Sequence, residues 1–351
     1  MTRMLRVLAA AIVCLAPMAG CGGGSSKTSG TNAPAPEKPR KAPTIKVGLL
    51  LDDLHERWQR DRQLFVEVAT DMGAETLVEV ADGDQARQVQ QAEKMLEAGV
   101  NVLVVVAHDT ENAVAIVEKA KARKVPVISY DRLIRNADVD LFIGFDPVRV
   151  GEMQAQYLLG RAEKGNYILI GGSPTDGNAK LLREGQMKVL EPAVKARAIR
   201  IVGDGWADNW TAENAARLTE QGLDKAKNNV VAIVASNDVT AGGAIGVLQK
   251  RGLAGKVLVS GQDAELEAAR RIVEGTQAMT VYKSLRTLTR LAARSAVLMA
   301  KGERVDTSGT VNNGKRDVPT MLFDPITVDK ENIDGVLIAD GFLKRDQVYA
   351  K

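Results

Sequence analysis

The sequence predicts an α/β fold in which two similar halves each contain a parallel β-sheet. From Ile45 onward, short apolar segments alternate with amphipathic helical stretches, a pattern typical of this fold class. The apolar segments are continuous in Val, Ile and Leu, as expected of strands that helices cover on both faces. The segments form two sets, and the predicted division between the halves lies near Asp146–Gly151.

Ten strands are predicted, five on each side of that division. The first five are expected at residues 45–51, 75–80, 101–106, 125–129 and 141–145. The second five are expected at residues 166–171, 198–203, 230–236, 256–261 and 278–282. Apolar residues three and four positions apart indicate the helices between them, as in the stripe of Val89, Ala92, Met95 and Leu96.

The first 43 residues differ in character from the rest of the chain. Arg3 and Arg6 precede a short apolar run, which is typical of an export signal and places that signal at residues 1–20. The run is too short for a transmembrane helix, which needs roughly 20 apolar residues. Residues 21–43 are rich in Gly, Ser and Pro and therefore predict a flexible tether.

The end of the signal resembles the lipobox of bacterial lipoproteins. It reads Met18-Ala19-Gly20-Cys21, although Leu is commoner than Met at the first of these positions. The resemblance implies that Cys21 carries a lipid, which would be the only link to a membrane. The alternative is an ordinary secretory signal that is cleaved after a small residue. Both alternatives predict export to the periplasm or the outer cell surface.

Cysteine and charge content exclude several classes of protein. Both cysteines, Cys14 and Cys21, lie in the signal region, so the folded part can form no disulfide and no cysteine-based site. Without Arg3 and Arg6, the 47 basic residues become 45, against 44 acidic residues. A nearly neutral protein has no general attraction to nucleic acid, so no such partner is expected.

No motif indicates catalysis or cofactor binding. The stretch GGSPTDGNAK lacks the Lys-Ser/Thr ending of a phosphate-binding P-loop. His55 and His108 have no spaced cluster of further ligands that would indicate zinc, and solvated loop positions are expected for both. Asp52 and Asp53 could be catalytic carboxylates, but adjacent strand residues face opposite ways. We therefore expect no enzymatic activity, metal or cofactor.

Polar side chains follow six of the predicted strands at the point where each strand ends. Ligands of open parallel sheets bind beyond these carboxyl ends. Acids, amides and cations are mixed there, which predicts a cleft between the halves that recognises a molecule rich in hydroxyl groups. The residues are Asp52, Asp53, Tyr130, Asp131, Arg132, Asp176, Asn178, Asn237, Asp238, Gln262, Asp263 and Lys283.

The tryptophans could belong either to the core or to this cleft. Trp58 shares a helical stripe with Phe65, which suits a core residue, but a buried Asp61 on the same stripe is costly unless it is paired. A helix whose first turn opens into a cleft reconciles both facts. Trp206 and Trp210 lie in GDGWADNW, and two aromatic side chains from opposite halves could stack on a sugar ring.

Eight segments spread over both halves carry a resemblance to a known family: DDLHERWQRDR, YDRLI, GGSPTDGNAKLLREGQMKVL, GDGWADNW, ASNDVTAGGAI, SGQDAEL, GTQAMTVYK and NNGKRDVP. Through them the chain resembles, from Lys46 almost to the C-terminus, the D-xylose-binding group of the ribose/galactose type of periplasmic binding proteins, which serve bacterial ABC importers. In one place the chain departs from the family, since LHERW is one residue shorter than the usual form and leaves the role of His55 open.

The resemblance implies two Rossmann-like lobes with parallel sheets that are joined by a three-segment hinge, the type I periplasmic binding protein fold. The first lobe would hold residues 44–148 and about 285–320, and the second residues 149–283 and about 321–351. Asp131 would orient Arg132, and Trp206 would not contact the ligand. The substrate-binding residues would be Arg57, Trp58, Arg132, Asp176, Asn178, Trp210, Asn237, Asp263 and Lys283.

The function implied by the resemblance is capture of a monosaccharide by closure of the hinge, with D-xylose as the preferred sugar. The closed monomer would then deliver the sugar to an ABC transporter permease. An alternative is a component that presents the sugar to a chemoreceptor or sensor kinase. A sugar-responsive transcription regulator is not expected, because an export signal stands where its DNA-binding helix-turn-helix would be.

Overall fold

The computed structural model describes residues 45–350. The predicted export signal at residues 1–20, the lipidation site Cys21 and the tether at residues 21–43 lie outside this range. Among the residues described, no helix is long and apolar enough to cross a membrane.

The first lobe begins with five parallel strands and three helices. Its strands pair in the order β5-β4-β3-β1-β2. The elements are β1 (Ile45–Leu51), α1 (Glu56–Asp71), β2 (Ala74–Val80), α2 (Gln85–Glu97), β3 (Val102–Val105), α3 (Val114–Ala122), β4 (Val127–Tyr130) and β5 (Leu141–Phe145).

The second lobe follows with the same alternation of strands and helices. A parallel sheet forms in the order β7-β6-β8-β9. The elements are α4 (Pro147–Leu159), β6 (Gly165–Gly171), α5 (Gly177–Lys195), β7 (Ile199–Trp206), a 3-10 turn (Asp208–Trp210), α6 (Ala212–Lys225), β8 (Ala232–Ala235), α7 (Asp238–Lys250), β9 (Leu258–Val259), α8 (Leu266–Glu274) and β10 (Thr280–Tyr282).

The last part of the chain contributes to both lobes. β12 joins the first sheet beside β5, and β13 pairs with β10 of the second lobe, so the chain passes between the lobes three times: after β5, after β10 and after β12. The elements are α9 (Leu285–Ala300), β11 (Gly309–Asn312), β12 (Asp317–Phe323), β13 (Ile326–Val328), a π-helical turn (Asp334–Ile338) and α10 (Arg345–Val348).

Strand β1 illustrates why the sheets need helices on both faces. Leu49 and Leu51 point into the core that α1 and α9 cover, whereas Leu50 points into the core on the side of α2 and α3. Successive strand residues face opposite sides of a sheet, so an unbroken apolar run buries both sides. The polar residues that follow the run are thereby confined to the strand end.

The predicted fold class is confirmed, since the structure has two α/β lobes with parallel sheets joined by three segments. Each of the ten predicted strands is present, although β9 is reduced to Leu258–Val259. β11, β12 and β13 were not predicted. β11 is largely exposed and lies at a sheet edge, so it lacks the buried Val/Ile/Leu run that identifies the others.

Candidate functional site

Loops at the carboxyl ends of strands in both lobes meet around one cavity. Its volume of about 50 Å³ corresponds to a few water molecules. The structure brings all nine of the predicted binding side chains to this cavity. They are Arg57, Trp58, Arg132, Asp176, Asn178, Trp210, Asn237, Asp263 and Lys283.

Arg57 and Trp58 lie in the first turn of α1, just after the loop that leaves β1. The Trp58 side chain is 4% exposed and packs edge-on against Tyr130, with ring centroids 6.2 Å apart. The Arg57 guanidinium lies 4.1 Å from the centroid of the Trp58 ring, in cation–π contact. Trp58 is therefore both a core residue of the helix and a wall of the cavity.

Asp61 lies one turn further along the same helical stripe and is also buried. Its carboxylate accepts a hydrogen bond from the Tyr130 hydroxyl at 2.7 Å and lies 3.8 Å from Arg57 Nε. Burial nevertheless dominates over these partners and raises the pKa of Asp61 to about 6. The buried face of α1 accommodates the Asp61 carboxyl group because Tyr130 and Arg57 interact with it.

Two cations and two carboxylates form a buried cluster in the cavity wall. Arg57 Nη2 donates to Asp131 Oδ1 at 2.5 Å, and Arg57 Nη1 donates to Asp263 Oδ1 at 3.3 Å. Lys283 Nζ lies 3.0 Å from Asp263 and 3.4 Å from Asp131. Burial opposes ionisation of Asp131, but Arg57 and Lys283 outweigh it and hold the pKa of Asp131 well below its usual range.

Arg132 follows β4 and is held by three acceptors. Its Nη1 donates to Asp52 Oδ2 at 2.6 Å and to the carbonyl of Ala107 at 2.9 Å. Its Nε lies 2.8 Å from Asp176 Oδ2 in the other lobe. Planar guanidinium groups favour such fixed, charge-assisted pairs, so the orientation of Arg132 is set by both lobes together.

The expectation that Asp131 orients Arg132 is wrong. The Asp131 carboxylate is engaged by Arg57 and Lys283, whereas Asp52 and Asp176 hold Arg132. Both residues lie beyond the end of β4, and Asp131 has a left-handed backbone conformation with φ 64°, so strand alternation does not determine which partners they reach.

The two histidines differ in their surroundings. His108 is mostly buried, and its Nδ1 lies 2.8 Å from Asp52 Oδ1, a hydrogen bond that raises the pKa of His108. Burial would raise the pKa of Asp52, but Arg132 and His108 together lower it to about 2. His55 lines the cavity, is partly exposed and pairs with Asp53 at 2.9 Å, which raises the pKa of His55. The solvated position expected for His108 is wrong.

The start of α5 supplies the opposite wall. Asp176 caps this helix, because its Oδ1 accepts from the Asn178 backbone N–H at 2.8 Å, and its Oδ2 accepts from Trp210 Nε1 at 3.2 Å. Trp210 is 6% exposed and packs so closely on Gly172 that a Cβ there would lie 2.1 Å from its ring. Asn178 Nδ2 donates to the Asp131 carbonyl of the first lobe at 3.0 Å.

Asn237 caps α7 and also lines the cavity. Its Oδ1 accepts hydrogen bonds from the backbone N–H and the hydroxyl of Thr240 at 2.9 and 2.8 Å. Within residues 45–350 its side-chain NH₂ makes no hydrogen bond, so the two donors remain available to a ligand. The two interpretations of Asn237, helix cap and ligand contact, are therefore compatible.

Trp206 lies outside the cavity lining. Its ring packs on Gly171 and under the Arg183 guanidinium, 5.0 Å away, and the side chain is 36% exposed. This position supports the expectation that Trp206 does not contact the ligand, which stays a prediction. Six lining residues escaped the sequence analysis, since they lie on helices, on a loop or at the end of β5, without a motif that would have indicated them: Phe145, Pro147, Val150, Leu182, Val239 and Glu265.

The electrostatics of the cavity suit a neutral polar ligand. Its three cations, Arg57, Arg132 and Lys283, are each paired with aspartates. An anionic ligand would have to compete with these carboxylates, and a cationic ligand with the guanidinium groups. Fixed donors and acceptors between two aromatic rings instead match a small molecule with several hydroxyl groups. Among the described residues, no group of His, Cys, Asp or Glu is placed to hold a metal ion.

The fold and this cavity define a two-lobed protein that binds a small ligand between its lobes. Residues 47–304 match the periplasmic binding protein domain family, and the chain belongs to that family. The D-xylose-binding periplasmic protein of Haemophilus influenzae is 48% identical over 306 residues, which cover 87% of this chain and 92% of the relative. The protein of the same name from Escherichia coli is 46% identical over 88% of this chain and 93% of its own length.

Solved structures agree with this assignment. A carbohydrate transporter solute-binding protein from Chloroflexus aurantiacus, in complex with D-glucose, has a TM-score of 0.81 at 32% identity. The match covers 87% of this chain and 98% of that chain. The family is one of binding proteins and not of enzymes, so the expectation of a non-enzymatic protein is confirmed.

Proposed function

We propose that this chain captures a monosaccharide by closure of its two lobes, with D-xylose as the preferred sugar. The nine predicted side chains would bind the sugar. The observation that carries the proposal is that these side chains, from opposite lobes, line one small cavity with paired charges and two buried tryptophans. The relatives named for D-xylose binding support the choice of sugar.

A thermal-shift panel tests the proposal. The purified protein is heated with D-xylose, D-ribose, L-arabinose, D-glucose or D-galactose, and only true ligands raise the melting temperature, because they bind the native state alone. We expect the largest rise with D-xylose. No response to D-xylose together with a clear response to another sugar would overturn the xylose assignment, and no response to any sugar would overturn sugar capture.

We further propose that the closed monomer delivers the sugar to an ABC transporter permease. Closure changes the surface that the two lobes present together, which gives a membrane partner a way to distinguish loaded from empty protein. Presentation to a chemoreceptor or sensor kinase is the alternative. Pull-down with purified permease and sensor ectodomains, with and without the sugar, separates the two.

Lipidation of Cys21 belongs to the same proposal and would keep the protein beside its permease. The relatives are named periplasmic proteins, which supports export but not the lipid. Replacement of Cys21 by Ser should move the protein from the detergent phase to the aqueous phase in a phase-separation assay. An aqueous wild-type protein would indicate an ordinary secretory signal.

A further inference from the structure

Glu265 occupies an unusual position at the cavity. It is the residue before the first turn of α8, where Ser, Thr, Asp or Asn commonly caps a helix, and its longer side chain makes no capping hydrogen bond. Glu265 also lines the cavity. Within the described residues, only its backbone N–H and C=O form hydrogen bonds, and its carboxyl group has no hydrogen bond or ion pair.

Two other carboxylates take the donors at the start of α8. Asp238 Oδ2 accepts from the Glu265 backbone N–H at 3.0 Å. Glu56 Oε1, from the first lobe, accepts from the Leu266 backbone N–H at 3.1 Å. These two backbone N–H groups are therefore satisfied without the Glu265 side chain, whose carboxyl group has no partner among the described residues.

The charged groups around Glu265 are mainly acidic. Asp238, Asp263 and Glu56 oppose its ionisation from three elements, and Arg271 is the cation that favours it. Arg271, however, already donates to the Asp238 carbonyl and to Gln277. The other cations of this wall, Arg57 and Lys283, are paired with Asp131 and Asp263.

Burial first, and then these carboxylates, raise the pKa of Glu265 to about 9. Glu265 is therefore protonated at neutral pH. A protonated carboxyl group has one O–H donor as well as an acceptor, unlike the ionised aspartates. Asp131 and Asp263 can only accept from a ligand hydroxyl group.

We propose that Glu265 is a further ligand-contacting residue, which binds a sugar hydroxyl as a neutral acid and donates a hydrogen bond from its carboxyl O–H to that hydroxyl oxygen. This inference rests on the proposed function of the cavity. Glu265 would contact a sugar hydroxyl group that accepts its hydrogen bond. This contact would discriminate between sugars, because a sugar with this hydroxyl in another position could not form it.

Binding should then depend on pH in one direction. The protonated form binds, so affinity falls as the pH rises toward and through about 9, where Glu265 ionises in the closed state. Ionisation would remove the donor and add a negative charge beside Asp238, Asp263 and Glu56.

Calorimetric titration with D-xylose at pH 6 to 10 tests the inference on three variants. Glu265→Gln keeps a donor and an acceptor, so we expect affinity within about threefold of wild type at pH 7 and no loss at pH 9 to 10. Glu265→Ala should lose about tenfold or more at pH 7. Glu267→Gln, at an exposed position of the same helix, is the matched control and should behave as wild type.

The outcomes separate this inference from the proposed function. Wild-type protein that binds sugar equally well at pH 7 and 10, or Glu265→Ala with unchanged affinity, would overturn the role of Glu265 alone. A wild type that binds no sugar would overturn the function of the cavity and this inference with it. Melting curves of each variant without sugar check that the fold is retained, and a melting temperature equal to wild type assigns the affinity loss to the contact.

Discussion

The Nε of Arg132 lies 2.8 Å from Oδ2 of Asp176, and these two residues belong to different lobes. Behind Arg132, Asp52 holds the other side of the guanidinium group at 2.6 Å. The pair therefore joins the lobes directly at the cavity, beside the contact of Asn178 with the Asp131 carbonyl. The described arrangement is that of lobes closed on one another, and residues that bind ligand also hold the closure.

Arg132→Lys should weaken sugar binding by tenfold or more. Lysine keeps the charge but cannot reach Asp52, the Ala107 carbonyl and Asp176 together, because it lacks the planar fork of the guanidinium group. Calorimetric titration measures the affinity. Arg123→Lys, at an exposed residue paired with Glu97, serves as control. Equal affinities of both variants would contradict a binding role for Arg132.

The tryptophans call for conservative substitutions, because both are nearly fully buried. Replacement of such a residue by alanine costs about 3–5 kcal/mol of stability, which would confuse folding with binding. Trp58→Phe and Trp210→Phe should keep the fold and lower the affinity by about tenfold, since each removes part of an aromatic wall. Trp206→Phe, outside the cavity, should bind as wild type. Wild-type affinity in Trp58→Phe and Trp210→Phe would assign both residues to the core alone.

The fold was largely predictable because buried parallel strands carry continuous apolar runs. β1 and β5 were placed to the residue for this reason. β11 and β13 escaped because they are short, partly exposed strands that pair antiparallel with a neighbour. Their positions follow from tertiary pairing and not from a local pattern.

The candidate site was predictable in its composition but not in its pairings. The strand-end positions and the family resemblance together named residues that line one cavity, and their contact with sugar stays a prediction. That Arg57, and not Arg132, engages Asp131 depends on side-chain directions that strand periodicity does not determine. His108 was misplaced for the same reason, since only the fold brings it to Asp52.

Asn237→Ser separates the two tasks of Asn237. Serine can accept the Thr240 backbone hydrogen bond and cap α7, but it lacks the amide NH₂, which has no partner among the described residues. We expect a melting temperature near that of wild type and an affinity about tenfold lower. Asn237→Ala, which removes the cap as well, should lose both. An Asn237→Ser variant with full affinity would reduce Asn237 to a helix cap.

Thr110→Val should shorten the lifetime of the closed state. The Thr110 hydroxyl accepts a hydrogen bond from the Gly177 backbone N–H of the other lobe at 3.0 Å. Valine fills the same buried space but leaves that N–H without a partner on closure, which costs about 1–3 kcal/mol. Stopped-flow tryptophan fluorescence should show release about tenfold faster with little change in the association rate. Thr310→Val, at an exposed strand position, is the control. Unchanged release would show that this contact does not hold the lobes together.

Asp61 should make stability fall as the pH rises from about 4 to about 6. Its pKa is raised by burial from about 3.9 in the unfolded chain to about 6 in the fold, so the native state binds the extra proton over this interval. The stabilisation is complete below pH 4 and is lost above pH 6, a total of about 3 kcal/mol.

Urea unfolding of wild type and Asp61→Asn at pH 4, 5, 6 and 7 measures this contribution as the difference between their free energies of unfolding. The contributions of the other titrating groups cancel in that difference. Asparagine can still accept from the Tyr130 hydroxyl, so the packing is kept. Asp71→Asn, at the exposed end of the same helix, is the control. A difference curve for Asp61→Asn that is flat, or that slopes the other way, would mean that the Asp61 carboxylate is stabilised by Arg57 more than burial opposes it.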